Sequence, residues 1–101
     1  MKLQDIAWVA GFLEGEGWFG PCGANRPTPQ ISFASTDMDI AQRARAILKA
    51  NSWIIRLPKN PKHKVVYVVH LTGTRAAEWM MTLYTLMGTR RRVTISKTLK
   101  R

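Results

Sequence analysis

Two glutamates, Glu14 and Glu16, sit among glycines in the stretch Gly11-Phe-Leu-Glu-Gly-Glu-Gly-Trp-Phe-Gly20. Carboxylates are hard oxygen ligands suited to a divalent cation such as Mg²⁺. The same stretch spells G-x-G-x-x-G at Gly15, Gly17 and Gly20. A phosphate-binding loop of that pattern follows a strand and opens a helix. Here the order is reversed, Pro21 follows at once, and two acids would repel a phosphate. The glutamates, not the glycines, carry the chemistry.

The element that must position them is a helix over residues 3–14, with Asp5 near its start, where a carboxylate suits the helix dipole. Residues 6–13 are apolar without a break. A helix apolar all round is expected to be buried on all sides, which in a small domain points to a second subunit. Ala7, Gly11 and Gly15 follow each other at i, i+4. Small residues at that spacing let two helix backbones approach closely. Glu16 falls at the C-terminal end of this helix. In a face-to-face dimer two Glu16 side chains would meet, each also facing the negative end of a helix dipole. Divalent cations would relieve that repulsion, and two metals beside a scissile phosphate stabilise both attacking and leaving oxygens. Glu14 is expected to be structural at this seam, capping or pairing across the dimer.

The remaining elements follow from periodicity. Residues 18–22 and 30–35 read as strands, with Ile31 and Phe33 alternating against Gln30, Ser32 and Ala34. Residues 37–51 and 74–87 read as helices, the latter with Ala76, Met80, Leu83 and Met87 on one stripe. Residues 53–57 and 64–72 are two further strands. Asp37 stands where a helix N-cap belongs. Residues 89–101 form a basic tail with room for a short final helix, against which its Thr and Val content speaks. The expected fold is α+β in the order αββαββα, a single domain over residues 1–101, with helices on one sheet face and the other face open.

The 101 residues include 16 Lys and Arg against 6 Asp and Glu, a formal charge of +10. That excess favours a polyanion, most simply nucleic acid. The basic residues do not line one face of an amphipathic helix, so a membrane surface is disfavoured. One cysteine and two histidines cannot form a disulfide within the chain or a structural zinc site of the usual kind. No signal peptide or bilayer-spanning run is seen, and a cytoplasmic or nucleoid-associated protein is expected.

The stretch Val9-Ala-Gly-Phe-Leu-Glu-Gly-Glu-Gly17 resembles the LAGLIDADG motif of homing endonucleases. Ser35-Thr-Asp-Met-Asp39, Leu71-Thr-Gly-Thr-Arg-Ala-Ala77 and the Met-Gly-x-Arg-Arg-Arg run ending at Arg92 are also similar to the compact single-motif members of phages and mobile introns. The resemblance implies a homodimer joined through the motif helices at Ala7, Gly11, Glu14 and Gly15. It implies double-stranded DNA as partner, bound in the major groove by the open sheet faces at a long, pseudo-palindromic site. It implies Mg²⁺-dependent hydrolysis leaving 3′ overhangs, with Mn²⁺ or Ca²⁺ able to occupy the same place and no organic cofactor. Glu16 corresponds to the essential metal-binding acid, where the family more often has Asp. Asp37 falls near the family's water-ordering polar residue, and Arg90 near the basic residue over the scissile phosphate.

On the sheet, Gln30, Ser32, Arg56, Lys64 and His70 are expected to face DNA, with Lys59, Lys62 and Arg91 as backbone contacts. The alternative is a cleavage-inactive DNA- or RNA-binding protein of the same fold, a regulator or a splicing maturase. A small architectural DNA protein would need neither Glu16 nor a defined site.

Overall fold

The computed structural model describes residues 2–50 and 52–100. The expected end of the second helix at Asn51 lies outside the described residues. The chain begins with α1 (Leu3–Glu16), followed by strands β1 (Gly17–Cys22) and β2 (Thr28–Ser35). Helix α2 (Met38–Leu48), strands β3 (Ser52–Arg56) and β4 (Val66–Thr72), and helix α3 (Thr74–Leu83) come next. A 3₁₀ turn (Tyr84–Leu86) leads into α4 (Thr89–Leu99). The four strands form one antiparallel sheet in the order β1-β2-β4-β3.

The sheet is the α+β layer expected, with one difference. The basic tail is a full helix, α4, so the order is αββαββαα. Its sequence hides this because TRRRVTISKTL is mostly polar and rich in β-branched residues, which are poor helix formers. Tertiary contacts supply what propensity lacks: Ile95 and Thr98 are buried, and Leu99 packs on the core.

The register sorts the sheet residues into two faces. Phe19, Ile31, Phe33, Val69 and Leu71 point towards the helices and are buried. They meet Val9 and Leu13 of α1, Leu48 of α2, Met80 and Leu83 of α3, and Ile95 of α4. The stripe Ala76, Met80, Leu83 and Met87 is buried throughout, as its spacing predicts. The opposite face carries Trp18, Gln30, Ser32, Val68, His70 and Arg56.

Helix α1 is not enclosed within its own chain: Val9, Ala10 and Leu13 are buried, but Ala7, Gly11 and Gly15 are exposed, and Leu3 is 84% exposed. Its apolar surface is larger than one small core can cover. Strand β4 begins at Val66, so Lys64 lies in the exposed 57–65 connection rather than on the strand. Pro58 and Pro61 lack the N–H groups a ladder needs, and Asn60 organises a turn by accepting from Lys62 N–H at 3.0 Å.

Candidate functional site

Helix α1 ends abruptly because residue 17 is glycine. Its N–H caps the helix on the Leu13 carbonyl, and a Cβ there would sit 2.7 Å from that oxygen. No larger residue fits without movement, so the chain turns directly from Glu16 into β1. Glu16 is left exposed on the last turn of the helix.

Glu16 borders an open cavity of about 560 Å³, with Phe12, Ala34, Ser35, Thr36, Ile40 and Val66 as its other walls. Phe12 lies one turn before Glu16 and fixes one wall. Its ring stacks on Trp8 at 5.5 Å and meets Phe33 edge-on at 5.0 Å, and Arg43 lies 4.1 Å over Trp8. The carboxylate therefore stands on a stiff apolar ladder rather than on a mobile loop.

Glu14 has a different fate. Sequence reading makes it structural at the seam, capping or pairing across the dimer, and its Oε2 accepts from the Gly88 N–H at 3.2 Å within the same chain. Gly88 is the N-cap of α4 and has no capping side chain of its own. The glutamate thus supplies an acceptor and a negative charge where the helix needs both. A Cβ at 88 would approach Glu14 Oε1 to 2.8 Å, so a larger residue there would push the carboxylate aside.

Arg91 completes this clasp from the other side. Its Nη2 donates to the Glu14 backbone carbonyl at 3.2 Å, and its guanidinium lies 5.7 Å from the Phe19 ring centroid. Helix α1 has no basic residue in its own last turn, so Arg91 is the cation at its negative end. It is half-buried, and its Nε is buried without a hydrogen-bond partner among the described residues. Arg91, expected as a DNA contact, here joins α4 to α1 through this side chain. Arg90, one residue earlier, is exposed.

Asp37 caps α2, accepting from Asp39 N–H at 3.0 Å and Ile40 N–H at 3.4 Å through Oδ1. It follows Thr36 of the cavity wall, but its side chain is not among the lining groups.

The antiparallel register brings the basic connection to the same end of the sheet as Glu16. Ser35 pairs with Tyr67, and Arg56 with Val66, so residues 57–65 leave the sheet beside the cavity. Lys59, Lys62 and Lys64 are exposed there, as is Arg56. Gln30, Ser32 and His70 lie further along, grouped on β2 and β4 of the open face. The β1–β2 turn is at the far end.

Trp18 escapes a reading that looks only for charge. It is 47% exposed on the open face, and its ring covers Gly20, where a Cβ would stand 2.7 Å from Trp18 Cη2. The alternation of Trp18 and Gly20 with Phe19 and Pro21 was the available signal.

No family model matches the chain, and no curated protein sequence matches it. Solved structures do. The chain is similar to the homing endonuclease I-CvuI in complex with its target in the presence of calcium, with a TM-score of 0.72, 16% identity, and coverage of 98% of this chain and 68% of that one. It is similar to the homing endonuclease I-TnaI, with a TM-score of 0.67, 18% identity, and coverage of 99% and 71%. It is also similar to I-GzeII, a LAGLIDADG homing endonuclease in complex with its DNA target, with a TM-score of 0.60, 14% identity, and coverage of 86% and 31%. The chain has the LAGLIDADG homing-endonuclease fold, as the motif at Val9 to Gly17 implies.

Proposed function

We propose that the chain is one subunit of a homodimeric, metal-dependent endonuclease acting at a specific site in double-stranded DNA. The observation that carries this reading is the position of Glu16. It is an exposed carboxylate at the end of α1, bordering an open cavity at the end of the sheet from which the basic 57–65 connection emerges.

The unpartnered face of α1 supports the dimer. Among the described residues a Cβ on Gly11 or Gly15 would meet no other element within 4 Å, and Ala7 is exposed beside them. Joining two such stripes would cover apolar surface and bring two Glu16 carboxylates together. The net charge of +10 and the likeness to endonucleases seen with DNA support a DNA partner.

Among the described residues no group of three or more His, Cys, Asp or Glu could hold a metal within one chain. One Glu16 from each subunit still fits Mg²⁺, which is commonly bound by one or two carboxylates plus phosphate and water. When bound, such a cation would supply a nucleophilic water and charge stabilisation. The chain's own groups hold the duplex in place: the exposed lysines of the 57–65 connection neutralise phosphates, and Arg90 offers a further cation. Asp37 remains a helix cap that could also order water.

Glu at position 16, where the resembled family more often has Asp, favours a second reading, a cleavage-inactive DNA- or RNA-binding protein of this fold. The test is Glu16→Gln. Loss of cleavage with DNA binding retained supports the endonuclease; equal loss of both contradicts the assigned role of Glu16.

A further inference from the structure

Gln30 and His70 are not independent side chains. Gln30 Nε2 lies 3.1 Å from His70 Nδ1 across the β2–β4 pairing. Both are half-buried on the open face. Their direct partners across the ladder are Thr72 and Ser32, so no charged group is opposed to either within that pairing. Each side chain limits the rotamers and hydrogen-bonding choices of the other.

The consequence is chemical. In a neutral imidazole one ring nitrogen donates and the other accepts. If Nδ1 accepts from the Gln30 amide, Nε2–H remains as a donor and Gln30 Oε1 as an acceptor. If Nδ1–H donates to a turned amide, Nε2 remains as an acceptor and the Gln30 NH₂ as a donor. Either arrangement leaves an acceptor on one side chain and a donor on the other, with the second amide hydrogen of Gln30 as a further donor. In the major groove only adenine offers one acceptor and one amino donor on a single base, through N7 and N6. Guanine offers two acceptors, cytosine a donor, and thymine an acceptor beside a methyl group.

We propose that Gln30 and His70 form one base-reading unit that selects adenine at a single position of each half-site. This rests on the sequence-specific DNA binding proposed above. The pairing fixes the complementarity before DNA arrives, which reduces the ordering cost of recognition.

The test is a binding selection on randomised duplexes in Ca²⁺, using the wild-type protein, Gln30→Ala, His70→Ala and the double variant. The wild type is expected to enrich adenine at one position per half-site by about tenfold, within the range of a good bidentate contact. Each single variant should lose that preference at the same position, with the rest of the site unchanged as a check on folding. The double variant should lose no more than either single one, because they remove one unit. Preferences lost at two different positions, or adenine still selected by His70→Ala, would overturn the pair while leaving DNA recognition intact. The absence of any enriched sequence with the wild-type protein would overturn both the DNA reading and the pair.

Discussion

The two sides of the last turn of α1 carry the same chemical group under opposite conditions. On one side, the Glu14 carboxylate is spent on the N-terminus of α4, with Arg91 returning the favour to the α1 carbonyl. On the other, Glu16 stands exposed at an open cavity with a stiff aromatic wall. The difference teaches how a small basic domain holds an acid in place. One carboxylate is used to anchor the end of the helix, so that its neighbour can be left uncommitted.

Substitutions on the two sides should therefore separate activity from stability. Glu16→Gln should lower cleavage by roughly a thousandfold, the scale of losing a group that stabilises developing charge. Its thermal stability should change by no more than about 0.5 kcal/mol, as for other surface substitutions. A cleavage assay beside a melting curve checks both.

Gly15→Leu should halve the mass seen by light scattering. It should not destabilise the monomer, because no other element among the described residues lies within 4 Å of a Cβ there and leucine favours helix over glycine by roughly 1 kcal/mol. An unchanged mass would remove the α1 seam from the account.

Glu14→Ala should show the reverse pattern to Glu16→Gln. Loss of the cap on α4 should cost about 1 kcal/mol, near 5 °C in melting temperature for a domain of this size, with cleavage reduced only modestly. If Glu14→Ala instead abolished cleavage at full stability, the division of labour between the two acids would be wrong.

The smallest effect is expected from the lysines. Replacing Lys59, Lys62 or Lys64 with Ala should weaken binding to all sequences alike. Each true phosphate contact removed should lower the slope of log affinity against log salt by about 0.9.

The sheet, its open face and the first three helices were legible because apolar periodicity dominates them. Ile31 and Phe33 alternate, and Ala76 to Met87 form a stripe whose burial the structure repeats. The place of Glu16 at the end of α1 was legible through the motif that surrounds it. Helix α4 was not, because its stability comes from contacts with α1 and the core rather than from its own residues. For the same reason Arg91 read only as a DNA-backbone contact, although its half-buried place against the Glu14 carbonyl sets it apart from Arg90 and Arg92. Trp18 was overlooked because an exposed aromatic beside a glycine carries no charge signal.

The central claim is that Glu16 makes this fold a nuclease. The most direct measurement is a cleavage selection on randomised long duplexes, run in Mg²⁺ and in EDTA, with wild-type and Glu16→Gln proteins in parallel and cut ends sequenced. The account predicts staggered cuts at one near-palindromic sequence, only in Mg²⁺ and only with the wild-type protein. Binding enrichment without cut ends in Mg²⁺ or Mn²⁺, or cuts that persist in Glu16→Gln, would contradict it.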